Sequence, residues 1–291
     1  MPTINRSLPR NVHFYDALNP GVALGGLRQN GSVTEANFLD MIGILLTTET
    51  PLRVQERTSG HIVTATNNSL GLGQYDVYIN RPIEVNSEPW VHRLISRSVS
   101  GREDAFRHGI RDRDGKCVIS GVLNHGAYCG DWSGFQAAHI FPLESENYWI
   151  QNGYSRWITD MDNTNGVSKI HSLQNGFLLR ADIHQVFDQY LLSVNPDDNY
   201  KIVVFGHDNL GLDGRILDPV CRDPANPHRV PDQLLRWHFR QSVFANMRGA
   251  GEPIFEHDFP PGTDMMGEIR AEPYAQERLE MEFAWRLRGV V

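Results

Sequence analysis

Two short stretches of this sequence carry residues able to move protons or hold a metal ion. The first is "FQAAHIFPL" (135–143), an apolar run that reads as a short buried strand yet places His139 between Ala138 and Ile140. An imidazole with its ordinary pKa of ~6.5 is suited to accept a proton near neutral pH. Taken alone, such a ring is as readily a hydrogen-bonded core histidine. The second stretch is "RADIHQVFDQY" (180–190), where His184 and Asp188 stand four apart. On a helix that spacing puts both on one face, and an imidazole with a carboxylate is a donor pair suited to a divalent cation. Pairs at this spacing also arise by chance, so the order of the surrounding elements has to carry the argument.

Those elements follow from local pattern. "FQAAHIFPL" is a strand, "FLL" (177–179) is another, and "RADIHQVFDQY" has helical character, with Asp182 near its first turn. Asn175-Gly176, just before the second strand, has the composition of a hairpin turn that needs positive φ. Upstream, "NVHFYDA" and "QYDVYI" read as strands, "HIVTATNN" as β-rich, and 33–46 as a helix capped by Thr34. "RPIEVNSEPW" (81–90), with two prolines, reads as a linker, and a helix is expected from about Ser100 to Arg113. Two further helices are expected at 231–249, opening on a proline and closed by glycine, and at 272–289. Their aromatics Trp237, Phe239, Phe244, Phe283 and Trp285 fit helical core or interface positions. These two helices either wrap the central block or pair with a second chain, which makes a homodimer one expected arrangement.

The totals narrow the class of protein. A chain of 291 residues with 40% hydrophobic and 21% charged residues can bury a sizeable core. A net charge of −8 argues against a protein that coats nucleic acid without specificity, although it leaves room for a local basic face. No apolar run approaches the ~18 residues that span a bilayer, and no apolar segment follows Arg6 and Arg10, so neither a membrane span nor a signal peptide is expected. Cys117, Cys129 and Cys221 are too few and too scattered for a disulfide framework, and an intracellular location, cytoplasm or nucleus, is expected. The same cysteines with His228 are a weak alternative for structural zinc, because no CxxC pair occurs.

The run "AAHIFP", then "QNGFLL", then "DIHQVFD" resembles the HNH endonucleases, most closely the branch common in fungal proteins. The resemblance covers about 117–195. It implies a ββα-metal core of two antiparallel strands and a helix around one divalent cation, Mg²⁺, Mn²⁺ or a similar transition metal. It implies His139 as general base, Asn175 as the brace of the loop, and His184 as metal ligand, with Asp188 the expected second ligand. The nine-residue step from Asn175 to His184 fits the family, whereas the thirty-six residues from His139 to Asn175 imply an insertion. Ala138 departs from the Asp or His that many members carry before the base. Either Asp188 and water complete the shell, or metal is held weakly.

The expected architecture is an α+β protein in which the HNH nuclease-like domain that the resemblance implies (96–220) lies between an accessory N-terminal domain of mixed α/β structure (1–95) and a C-terminal helical extension (221–291), both read from local pattern. Its expected activity is hydrolysis of DNA phosphodiester bonds, with RNA also open as a substrate. A histidine can deprotonate the attacking water, and a cation can neutralise charge developing on the phosphate. Arg180 at the helix start and Lys169 in the insertion are candidate nucleic-acid contacts, with Arg111, Arg113 and Lys116 behind them. Trp149, Tyr154 and Trp157 in the insertion are expected to pack it down rather than stack on bases. Two rival readings use the same residues: a binding module that has lost turnover, and an enzyme using the His139 cleft on a small molecule held between Trp149 and Trp157.

Overall fold

Alternation builds the N-terminal sheet. In β1 (Val12–Asp16), Val12 and Phe14 are buried while His13 and Tyr15 face partly outward. The computed structural model describes residues 5–48, 51–91, 93, 101–160, 167–251 and 270. β1 pairs antiparallel with β2 (Asn19–Leu27) and parallel with β5 (Gly73–Tyr78), and β5 pairs antiparallel with β4 (Arg53–Glu56). The strand order is therefore β2-β1-β5-β4. Helix α1 (Glu35–Leu45) packs Phe38, Met41, Ile42 and Leu45 into the same core. Its start is the expected one. Thr34 accepts from the Asn37 amide while Asn37 Oδ1 accepts from the Thr34 amide, a reciprocal cap.

"HIVTATNN" is not a strand, and α1 is the reason. The first amides of a helix have no intrahelical partner. Here the carbonyls of Asn68 and Thr66 accept from Glu35 N (2.9 Å) and Ala36 N (3.0 Å), so this segment wraps the helix start. Its side chains join in: Thr66 donates to the Glu35 carboxylate, which His61 also contacts. The expected linker 81–90 is also tied down. β3 (Leu46–Thr47) pairs with β6 (Glu84–Val85), Arg248 donates to the Asn86 and Glu88 carbonyls, and Arg240 pairs with Glu88 at 2.6 Å.

The central block has α2 (Gly101–Asp114), then β7 (Phe135–His139) paired antiparallel with β8 (Gly176–Arg180), then α4 (Ala181–Asp188). Asn175-Gly176 does not make a hairpin turn. Residues 140–175 separate the two strands, Asn175 ends a short 3₁₀ turn, and Gly176 is fully extended at φ −169°. Close approach explains the glycine: a Cβ there would lie 2.3 Å from Phe106 Cζ and 2.5 Å from the Ala138 carbonyl oxygen. Within the 140–175 excursion, α3 (Glu146–Gln151) carries Trp149, fully buried and edge-on to Phe141 and Tyr154. Trp157 is edge-on to Trp149 and stacks on Tyr154. Trp149, Tyr154 and Trp157 thus pack against the central core, as expected.

Two hydrophobic cores meet at the hairpin of β9 (Leu192–Asn195) and β10 (Lys201–Val204). Ile202 and Val204 face the central core, and Val203 with Phe205 just beyond faces the N-terminal one. Helix α5 (Asp232–Met247) does the same along its length. Leu234, Leu235 and Trp237 enter the central core, while Phe239, Val243, Phe244 and Met247 enter the N-terminal core. Its apolar residues are therefore spent within this chain, and the expected homodimer through 231–249 has no support. The second expected helix, 272–289 with Phe283 and Trp285, lies outside the described residues. The described residues form a mixed α/β structure of five helices and four small sheets. None of these helices is long and apolar enough to cross a membrane.

Candidate active site

His139 ends β7, opposite Gly176 of β8. The inner face of the β7–β8 pair carries Ala138, Phe177 and Leu179 into the central core, and its other face packs against α2. The His139 ring lies flat on Phe106 of α2, with centroids 3.7 Å apart and an 11° tilt. His171 from the insertion stands edge-on at 6.2 Å. His139 Nε2 is buried and has no hydrogen-bond partner among the described residues. Burial, and then the neighbouring His171, Arg93 and His184, hold the His139 pKa well below the usual imidazole value, against a smaller opposing pull from Asp188. The ring is neutral at pH 7, the state a proton acceptor requires.

Asn175 braces backbone, though not at the carbonyl of His139. Its Oδ1 accepts from Phe141 N (2.8 Å), and its Nδ2 donates to the carbonyls of Phe141 (3.1 Å) and Ile170 (2.9 Å). Its own carbonyl accepts from Ile140 N (2.9 Å). This pins the two residues after His139 to the end of the insertion, so Asn175 fixes where the strand stops. Arg113 locks the same turn from below, donating to the carbonyls of Leu173, Gly176 and His228 while pairing with Asp114.

On α4, His184 and Asp188 do share a face. His184 Nε2 lies 3.1 Å from Asp188 Oδ2, and His184 Nδ1 lies 2.7 Å from Gln136 Oε1 on β7. An amide oxygen only accepts, so Nδ1 carries the proton and a neutral ring turns its Nε2 lone pair toward the carboxylate. Two electron-rich atoms 3.1 Å apart are reconciled by a second proton on the ring or by a cation. For Asp188, burial works to raise the pKa, but Arg93 and His184 outweigh it and bring the carboxyl down to about 2. Arg93 also donates to the carbonyls of His139 and Ile140.

The other sequence candidates divide. Arg180 stands at the N-cap position of α4 without a side-chain capping bond and pairs with Asp182 at 2.7 Å, which leaves Asp182 away from His184 and Asp188. In the β7–β8 register Arg180 faces Phe135, four residues from the His139 pair, or roughly 13 Å along the strand. Lys169 sits at φ +57° just before Ile170, whose carbonyl Asn175 holds. Arg113 is committed to structure, Lys116 pairs with Asp218 at 2.6 Å, and the Arg111 guanidinium covers Trp132 at 4.8 Å. Cys117 and Cys221 are buried and Cys129 is exposed. Burial pushes the Cys221 thiol up to about 12. Among the described residues no group of three or more His, Cys, Asp or Glu stands together as a metal cluster, so the zinc alternative finds no site.

Sequence reasoning missed Arg93. It follows the segment read as linker, and no spacing ties it to His139 or Asp188, so only the packing of Phe187 and Tyr190 around its guanidinium reveals it.

Two stretches of the chain match known families. Residues 9–84 match a family described as a domain of unknown function (DUF8573), and residues 117–195 match the family described as HNH endonuclease. Neither a search of curated proteins nor one of solved structures finds a match. The second span includes β7, β8 and α4 with His139, Asn175, His184 and Asp188, and over residues 117–195 this chain carries a match to the HNH endonuclease family.

Proposed function

We propose that this site hydrolyses phosphodiester bonds in DNA with the help of one divalent cation held by His184 and Asp188. The observation that carries the reading is the convergence of a neutral imidazole at a strand end with a nitrogen and an oxygen donor 3.1 Å apart on the adjoining helix. The donors fit a hard or borderline ion such as Mg²⁺ or Mn²⁺, and Gln136 orients the imidazole in the way that partners of metal-binding histidines do. When bound, such an ion stabilises the charge that builds on the phosphate, worth several kcal/mol. His139 takes the proton of the attacking water, and Phe106 behind the ring and Asn175 beyond it keep that ring from swinging away. Its buried nitrogen has no hydrogen-bond partner among the described residues, which leaves it open to accept a proton. Arg180 and Lys169 are assigned to the nucleic-acid backbone, where contacts position the duplex without reading its sequence.

The test is nicking of supercoiled plasmid with Mg²⁺, Mn²⁺, Ni²⁺ or EDTA, using wild type, His139→Ala and His184→Ala. Metal-dependent nicking lost in both variants is the expected result. Nicking by His139→Ala at the wild-type rate removes His139 as the base. Plasmid binding without nicking in any metal supports the second reading, a binding module, which a set of only two protein donors favours.

A further inference from the structure

Arg93 lies outside the segment matched to the HNH family, yet it joins the two halves of the site. It is 7% exposed, with its charged end beside the faces of Phe187 and Tyr190, 5.4 and 5.7 Å from their ring centroids. One terminal nitrogen donates to the His139 carbonyl and to the Ile140 carbonyl at 3.0 Å. The other terminal nitrogen lies 3.1 Å from Asp188 Oδ1, an ion pair without hydrogen-bond geometry. The chain is anchored two residues earlier: Val91 N donates to Gln241 Oε1 (2.6 Å), and the Val91 carbonyl accepts from the Tyr190 hydroxyl (2.7 Å).

These contacts divide the two carboxylate oxygens of Asp188 between two neighbours. Oδ1 faces Arg93, and Oδ2 faces His184 Nε2 at 3.1 Å. A carboxylate with both oxygens free turns about its last bond, whereas the fixed charge of Arg93 beside Oδ1 favours the orientation that presents Oδ2 to His184. The guanidinium is a rigid planar fork, so it also sets the separation between the end of β7 and the end of α4. A lysine is a point charge on a flexible stem and cannot hold both ends at once.

We propose that Arg93 is a positioning residue of the nuclease site, fixing the strand end that bears His139 and turning Asp188 Oδ2 toward His184 as a metal donor. This rests on the metal-dependent reading given above. Arg93 is buried, so it acts through Asp188 and His139 and not by touching DNA.

The experiment titrates Mn²⁺ into the full-length protein by calorimetry and measures plasmid nicking for wild type, Arg93→Met and Arg93→Lys. Both are done well below the melting temperature, with folding checked by circular dichroism. Loss of a group that orients a metal ligand typically costs 10- to 100-fold in metal affinity, and that is the expected change for Arg93→Met. The nicking kcat falls with it while the KM for plasmid stays near wild type, and Arg93→Lys recovers part of both losses. A lower melting temperature with unchanged Mn²⁺ affinity and unchanged kcat in the folded variant means that Arg93 is structural only, and overturns the proposal. If Arg93→Met does not fold, Arg93→Lys carries the test, and wild-type Mn²⁺ affinity in that variant overturns it equally. Wild type that takes up no Mn²⁺ overturns the metal-dependent reading and this inference together, whereas equal binding by wild type and variants overturns this inference alone.

Discussion

Two histidines of this chain are seated alike and finished differently. His139 lies on Phe106 and His238 of α5 lies on Phe187, each with ring centroids 3.7 Å apart and nearly parallel planes. Burial, as the main cause, holds the pKa of each well below the usual imidazole value. The difference is in the ring nitrogens. His238 Nε2 donates to the Phe187 carbonyl at 3.2 Å, which leaves Nδ1 to accept from the Ser193 hydroxyl at 2.7 Å. His139 Nε2 is buried with no such partner among the described residues. Stacking and burial are therefore common to both rings and do not by themselves mark the proposed base. Their hydrogen bonding is what differs, and an unsatisfied polar atom such as His139 Nε2 costs stability.

The sharpest way to break this comparison is to remove each ring. His139→Ala should lose plasmid nicking by roughly 10²- to 10⁴-fold, the range for a general base, while its urea midpoint moves less than that of the other variant. His238→Ala should do the reverse. Its ring is 1% exposed and fully hydrogen-bonded, so removal leaves a cavity and an unpaired carbonyl, a loss of about 2–4 kcal/mol in unfolding free energy. Nicking per folded molecule should stay at the wild-type level. Equal stability losses in the two variants, or a large nicking defect in His238→Ala, would erase the distinction.

Protons probe the same contrast more gently. A folded-state pKa below the unfolded value of ~6.5 means that the unfolded chain binds the proton more tightly. Stability is then complete above about pH 6.5 and falls as pH drops from there toward the folded pKa, by up to about 1.4 kcal/mol per pH unit for each such histidine. Asp188, brought down to about 2, adds to the loss only at more acid pH, below about 4. Urea unfolding at pH 7.5 and pH 5.5 should show the decline in wild type, and a shallower one in His238→Ala. A flat wild-type profile over that interval would mean that neither ring is kept neutral by the fold.

Much of the site was legible in the sequence because its chemistry is local. His184 and Asp188 meet through helical spacing alone, and the strand–strand–helix order places His139 nearby. The parts that were not legible depend on contacts between distant segments. Asn175-Gly176 has hairpin composition, but the glycine is required because Phe106 and the Ala138 carbonyl, from elsewhere in the chain, leave no room for a Cβ. "HIVTATNN" has strand composition, but the open amides of α1 claim its carbonyls. Arg93 has no sequence signature at all, since its partners lie 46, 47 and 95 positions away. Packing of α1 and α5 was readable from period and caps, whereas the division of α5 between two cores was not, because a single helix shows which face is apolar and not what that face meets.

The smallest change tests the comparison most directly by making His238 resemble His139. Ser193→Ala removes one oxygen from a fully buried position and leaves the His238 Nδ1 lone pair without its donor. The stack on Phe187 and the bond from Nε2 are untouched, so packing is nearly unchanged and only polar satisfaction is lost. The expected cost is about 1–2 kcal/mol, read from urea unfolding at pH 7.5, with no change in nicking. Because an unpartnered Nδ1 becomes an open proton acceptor, the His238 pKa should also move, in a direction set by whether water reaches the space the hydroxyl leaves. A variant as stable as wild type would mean that this interior tolerates an unpaired imidazole nitrogen without cost, and the bare nitrogen of His139 would then carry no information about function.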